Sequence, residues 1–235
     1  MSGFKPRFRH ELKYLINEAD ALAIKSRLSP FVSHDKNAVD GGYMLRSLYY
    51  DDLWDTAYAE KLMGVSLRKK YRIRIYNCSD NTIKLECKQK QESYIYKRSA
   101  ILTRAEYDSI KNGDCAFLLV RKEDVCRDFY LEFMQRVLRP RCIVDYEREP
   151  FVMPTGDVRI TFDRNVRSAL LSEDIFDKEL PTIRVLEPSK LVMEVKYTEF
   201  LPQIIREVLP PSGSEFTAVS KYVLCRDAVN YRTAY

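Results

Sequence analysis

The sequence predicts a mainly β fold with peripheral helices (α+β), an eight-stranded antiparallel closed β-barrel covered by helices. Three observations point there. Eight runs alternate with a period of two. Several of them carry charge at every second position and apolar residues between. The segments between runs have helical spacing and are mostly short and apolar on one side. Successive side chains of a strand point to opposite faces, so each such run makes one charged face and one largely apolar face.

Phe8 to Ile16 is the first strand, with Arg9, Glu11 and Lys13 on one face and His10, Leu12, Tyr14 and Ile16 on the other. Asn17 then caps a helix through Ala21, Leu22, Ile24 and Leu28, which Pro30 ends. Tyr43 to Tyr50 is the second strand, closed by Asp51 and Asp52. A short helix from Trp54 to Met63 places Trp54, Ala57, Tyr58 and Leu62 on one side and stops at Gly64.

The stretch from Leu67 to Lys97 holds the densest charge alternation. Arg68, Lys70, Arg72 and Arg74 interleave with Tyr71, Ile73 and Ile75 in a strand over 67–77. Lys84, Glu86, Lys88 and Lys90 interleave with Leu85, Cys87 and Gln89 over 82–90. Cys78-Ser79-Asp80-Asn81 suits the hairpin turn between them. A fifth strand over 94–101 puts Lys97 and Ser99 on one face with Ile95 and Ile101.

Thr103 and Glu106 form a capping box for a helix through Ile110, ended by Gly113. Ala116 to Val120 and Asp128 to Leu138 read as helical packing elements, the second stopped by Pro140. Strands follow over 141–149, over 157–163 across a Pro154-Thr155-Gly156 turn, and over 190–197. Phe200 to Leu209 is a helix with Pro202 in its first turn, and a last helix spans 220–231. No repeat or linker interrupts the chain, so a single domain over 1–235 is expected. Eight antiparallel strands can close without a free edge. Turning the charged faces inward makes a wet, charged tunnel and leaves the apolar faces for the helices to cover.

Composition narrows the function. Apolar residues make up 46% of the 235, enough for a core, and only 7 glycines leave no glycine-rich phosphate loop. The net charge of +5, from 39 basic and 34 acidic residues, is too balanced for a chain that coats nucleic acid. The basic strands also lack the exposed aromatic platforms of single-strand binders, with Tyr71 and Tyr76 read as core. The six cysteines have no metal-finger spacing and no signal peptide is recognisable, so free thiols and a cytoplasmic location are expected. No apolar run is long enough for a membrane span, although a membrane partner stays open. Two histidines, His10 and His34, are too few for a histidine metal site and stand in no triad context. A charged stripe on one strand is the ordinary solvated face of a sheet. Repetition across strands is different: many cations on one face repel one another unless an anion lies nearby. The anion proposed is a phosphate chain.

Several motifs occur in a fixed order: Arg9-His10-Glu11-Leu12-Lys13-Tyr14, Ser47-Leu48-Tyr49-Tyr50-Asp51, Tyr71-Arg72-Ile73-Arg74-Ile75-Tyr76, Lys84-Leu85-Glu86-Cys87-Lys88, Tyr146-Glu147-Arg148, Arg159-Ile160-Thr161-Phe162-Asp163, Glu194-Val195-Lys196-Tyr197 and Ser220-Lys221-Tyr222. Together they resemble the VTC domain, a polyphosphate polymerase domain of the triphosphate tunnel metalloenzymes, or CYTH-like proteins, in its stand-alone bacterial form. The resemblance implies transfer of the γ-phosphate of ATP to a growing inorganic polyphosphate, with Mn2+ or Mg2+ as cofactor. It implies that Lys13, Arg72, Arg74, Lys84, Lys97, Arg148, Arg159 and Lys221 bind phosphate, with Lys88 and Lys196 on the same faces. Arg72, Arg74, Lys84, Arg148, Arg159 and Glu194 would be the catalytic set. Glu194 would be the principal metal ligand, assisted by Glu11. Arg9 departs from the wider superfamily's Glu-x-Glu-x-Lys pattern, which removes one acid and leans the site towards gripping phosphate. Thr217 and Ala218 stand where further basic residues would be expected, leaving Lys221 without a second lysine.

Phosphoryl transfer asks a protein for positioning and for cations around the transferred oxygens. Arginines grip two oxygens at once, lysines act as point charges, and a divalent ion needs a carboxylate plus phosphate oxygens and water. The nucleophile, a terminal phosphate, is already anionic and needs no general base. Two other activities fit the same faces: a metal-dependent triphosphatase or nucleoside triphosphatase with water as nucleophile, and a non-catalytic polyphosphate-binding module.

Overall fold

The computed structural model describes residues 10–38, 40–91, 94–169, 174–198, 200–210 and 219–233. Arg9, Thr217 and Ala218 lie outside them. In chain order the elements are β1 (His10–Asn17), α1 (Glu18–Leu28), β2 (Ser33–His34), β3 (Tyr43–Asp51), α2 (Thr56–Leu62), β4 (Leu67–Tyr76), β5 (Ser79–Gln91), β6 (Tyr94–Leu102), α3 (Arg104–Lys111), a 3-10 turn (Ala116–Val120), α4 (Asp124–Arg136), β7 (Arg139–Met153), β8 (Val158–Ala169), β9 (Thr182–Arg184), β10 (Lys190–Tyr197), α5 (Gln203–Val208) and α6 (Lys221–Thr233).

The chain forms two compact units. The first comprises Met1–Tyr43, Tyr146–Val166 and Leu186–Ser220. Its strands run in the order β1-β10-β8-β7, with β1 and β8 antiparallel to β10 and β2 added antiparallel on β7. The Asn17 side chain accepts from the Asp20 N–H at 2.8 Å and starts α1 where the sequence places it. Ala21, Ile24 and Leu28 of α1 and Ile205 and Val208 of α5 cover Ile16, Ile160, Phe162, Met193 and Val195. The opposite face of the same strands stays charged.

The second unit comprises Met44–Asp145, Arg167–Val185 and Lys221–Tyr235, with the order β7-β3-β4-β5-β6 and β9 on β8. Tyr71, Ile73, Ile75, Leu85 and Cys87 turn to the helices, where Phe129 of α4 meets Tyr50 and Tyr71 edge-on at 5.1 and 5.5 Å. As the alternation requires, helices cover the apolar face in each unit.

The structure corrects several expectations. The sheet has ten strands, and it is not closed into a barrel: β1 and β6 are end strands with no ladder between them among the described residues. The alternation that fixes a strand's faces says nothing about which strands exchange backbone hydrogen bonds at the ends. The two extra strands are two and three residues long, too short to show a period. The β4–β5 turn is centred on Asn77 and Cys78, both at φ 51°, with Tyr76 opposite Ser79. That is the two-residue hairpin whose twist matches the strands. The helix expected from Trp54 begins at Thr56 instead, and Trp54 is 70% exposed and Leu62 58%. Asp52 accepts from the N–H groups of Trp54 and Thr56, and Asp51 from those of Ala57 and Tyr58, so the two carboxylates set where α2 starts. Tyr71 is buried, whereas Tyr76 is only partly so and lies under the Lys84 ammonium, 5.3 Å from its ring. Pro140 lies inside β7; α4 ends earlier, at Arg136, with Val137 at φ 55°. All six cysteines are free, as expected.

Gly156 sits in the turn before β8 at φ 77°, and a Cβ there would lie 2.7 Å from the Phe200 carbonyl oxygen. Gly156→Ala is therefore expected to cost about 1–3 kcal/mol in a denaturant titration, combining left-handed strain with a backbone clash.

Candidate functional site

Each unit carries its own charged face, and the two differ in how their charges are matched. In the first unit, Lys13, Glu194 and Thr161 are partners across β1, β10 and β8, and Glu11, Lys196 and Arg159 form the next row. Between β1 and β10 acids and bases alternate in both directions, while Lys196 faces Arg159 on β8. Lys13 lies 3.3 Å from Glu194 and 3.7 Å from Glu11, and Lys196 lies 2.6 Å from Glu194 and 3.4 Å from Glu11. Arg148 of β7 grips Asp163 with two bonds of 2.7 Å and reaches Glu194 at 3.5 Å. Burial disfavours the Arg148 charge, but Asp163, Tyr146 and Glu194 outweigh it and hold the guanidinium protonated. Arg159 pairs with Asp35 at 3.0 Å and donates to the Tyr43 hydroxyl at 2.9 Å.

Glu11 and Glu194, both nearly buried, share the same two lysines. Beside Glu194, the Thr161 Oγ1 is buried with no hydrogen-bond partner. Two carboxylates and an unsatisfied hydroxyl make an all-oxygen donor set that suits Mg2+ or Mn2+ when phosphate and water complete the sphere. Among the described residues no group of three or more His, Cys, Asp or Glu side chains could hold an ion alone.

In the second unit most ladder partners on the charged face carry like charge. Across β4, β5 and β6 the partners are Arg68 with Lys90, Lys70 with Lys88 and Lys97, Arg72 with Glu86, and Arg74 with Lys84. Only one of these rows opposes unlike charges. Like charges directly opposite destabilise a sheet. Glu86, 1% exposed, sits among the cations: 2.7 Å from Arg72, 3.9 Å from Arg74, and paired with Lys97. Burial pushes its carboxyl up, but Arg72, Arg74 and Lys97 outweigh that and hold it well below the usual carboxylate range. Arg72 also donates to the Tyr49 hydroxyl at 2.7 Å, and Arg74 to Ser47 Oγ at 3.1 Å.

Helix α6 is anchored at this face. Tyr222 stacks on Tyr49 at 4.9 Å, donates to Asp51 at 2.7 Å, and carries the Lys70 ammonium 4.5 Å from its ring centre. Arg226 closes a two-bond pair with Asp55, both at 2.9 Å. Lys221 is the first residue of this helix, next to Tyr222.

The predicted residues thus fall into two groups. Lys13, Glu11, Arg148, Arg159, Glu194 and Lys196 are in the first unit, and Arg72, Arg74, Lys84, Lys88, Lys97 and Lys221 in the second. Sequence reasoning gave no role to Glu86, Thr161, Ser47, Tyr49 or Tyr222. Ser47 and Tyr49 share strand parity and could have been found once β3 was paired with β4.

Among solved structures, a candidate adenylate cyclase from Bacillus halodurans is 13% identical, with 82% of each chain covered and a TM-score of 0.50. That likeness shows the fold. A second candidate adenylate cyclase, from Vibrio parahaemolyticus, is 14% identical over 86% of this chain and 83% of that one, with a TM-score of 0.46. A conserved hypothetical protein from Pyrococcus furiosus is 11% identical over 92% and 99%, with a TM-score of 0.47. No curated protein matches. No helix among the described residues is long and apolar enough to cross a membrane. The sequence profile of the VTC domain matches residues 8–230, nearly the whole chain, and the chain belongs to the VTC domain family.

Proposed function

We propose that this protein is a polyphosphate polymerase that transfers the γ-phosphate of ATP to an inorganic polyphosphate chain and releases ADP. The observation that carries this reading is the set of like-charge rows in the second unit, Arg68 with Lys90, Lys70 with Lys88 and Lys97, and Arg74 with Lys84. Their mutual repulsion costs stability, and a bound polyanion offsets it. Rows two residues apart along a strand are spaced by about 7 Å, so a linear phosphate chain meets fresh cations as it lengthens. Membership of the VTC domain family supports the same substrate class.

In the reaction, a terminal phosphate oxygen attacks the γ-phosphorus of ATP. The bond from that phosphorus to the oxygen bridging to the β-phosphate breaks, and ADP leaves with the electron pair. The attacking oxygen is already anionic, so no side chain needs to take a proton. Arg72 and Arg74 grip phosphate oxygens, and Lys84, Lys88 and Lys97 add point charges that hold the chain in line. In the first unit, Glu11 and Glu194 would hold Mn2+ or Mg2+, with Lys13, Lys196, Arg148 and Arg159 around them. Such an ion, when bound, neutralises charge on the phosphate oxygens.

The test is to incubate the purified protein with ATP and Mn2+, resolving polymer on gels while counting free phosphate. ADP and polymer rising together, with little free phosphate, are expected. Free phosphate without polymer would make the protein a triphosphatase, and binding without turnover a polyphosphate-binding module; either contradicts the proposal.

A further inference from the structure

We infer that Glu86 is a positioning residue: from the base of the second unit's cation face, its carboxylate aims Arg72, Arg74 and Lys97 at bound phosphate. This rests on the phosphate-chain reading above and assigns a role within it. The carboxylate is 1% exposed, while the Lys97 side chain is 47% exposed and that of Arg72 16%. The acid therefore lies beneath the cations, which project past it. Its Oε2 takes both Nε and NH2 of Arg72 at 2.7 Å, fixing the plane of that guanidinium, and its Oε1 meets Lys97 from the neighbouring strand. Tyr49 and Ser47 hold Arg72 and Arg74 from the other side. Long basic side chains lose much rotamer freedom when they grip a ligand, and a face already ordered loses less.

A carboxylate here could do one of two things, and they predict opposite signs. If it only dilutes the positive charge, removing it tightens anion binding. If it aims the cations, removing it weakens binding despite the extra net charge. Lys97 adds a second readout. Partial enclosure of its ammonium and repulsion by Arg72 and Arg74 bring it down to about 8, and Glu86 pulls the other way. The charged groups facing it are Glu86 and Lys88 of β5 and Arg72 and Arg74 of β4. Without Glu86, Lys97 loses its proton at lower pH.

The experiment is calorimetric titration of inorganic triphosphate into the wild type, Glu86→Gln and Glu86→Asp across a pH series, with circular dichroism to check folding. In mildly acid solution, where the cations are charged, Glu86→Gln is expected to bind about tenfold or more weakly. Its affinity should also begin to fall at a lower pH than the wild type's, which falls as pH rises through about 8. Glu86→Asp keeps the charge but withdraws it by one methylene, and should bind more weakly while its alkaline limb moves less than that of Glu86→Gln. Tighter or unchanged binding by Glu86→Gln with an unmoved limb would overturn the inference. If Glu86→Gln does not fold, wild-type affinity in Glu86→Asp overturns it instead. Failure of the wild type itself to bind triphosphate would overturn both this role and the polymerase reading.

Discussion

Arg74→Ala is expected to lower polyphosphate synthesis by about 10²–10³-fold, the usual cost of removing one preorganised charge from a transition state. Arg74 is 6% exposed, held by Ser47, and stands in a row whose other member on β5 is Lys84. In the proposed reaction its guanidinium would meet phosphate with little freedom to lose. The fold should survive, because Glu86 keeps Arg72 and Lys97 as partners. Arg74→Lys restores a charge without the planar fork, so intermediate rates are expected. Steady-state ATP turnover and polymer yield, beside a thermal melt, separate lost chemistry from lost structure. Wild-type rates in Arg74→Ala would contradict the assignment.

The largest loss of stability is expected at Arg46. It lies on the opposite face of β3 from Ser47, and its Nε and NH2 bond Asp145 at 2.8 and 2.9 Å. Its NH1 donates to the Ile175 carbonyl at 3.2 Å and to that of Asp177, tying this segment to the strands. Arg46 is 2% exposed and Asp145 fully buried. Arg46→Met leaves that carboxylate charged and unmatched, and about 3–5 kcal/mol should be lost in denaturant unfolding. Removing both partners, as in Arg46→Met with Asp145→Leu, should cost less than the single change, because no buried charge is then stranded. A double variant weaker than the single one would show that the pair does more than satisfy itself.

The faces were legible because alternation is local. Arg68 to Arg74 and Lys84 to Lys90 declare their faces within one strand, and Asn17 and Thr103 declare their helices within one turn. The matching of charges was not legible, because it depends on partners far away in the chain. Lys13 and Lys84 look alike as lysines in alternating strands. Register sets Lys13 opposite Glu194 and Lys84 opposite Arg74, which makes one a member of a neutral checkerboard and the other part of a surplus. Barrel closure failed for the same reason. The end strands each show the right period, and nothing local states whether β1 meets β6.

Glu86 illustrates the limit most clearly. In sequence it is one acid in the alternation Lys84, Glu86, Lys88 and Lys90, with no role of its own. In the folded sheet it is a buried carboxylate contacted by cations from two neighbouring strands. The pairing β4-β5-β6 carries that meaning, through a hairpin turn set by Asn77 and Cys78.

A crystal structure of the protein soaked with a non-hydrolysable ATP analogue and Mn2+ tests the central claim most directly. The account predicts triphosphate oxygens against Arg72, Arg74 and Lys84, and an anomalous manganese peak beside Glu194. Triphosphate bound on the helix-covered side of the sheet, with the Arg74–Lys84 row left to solvent, would contradict it.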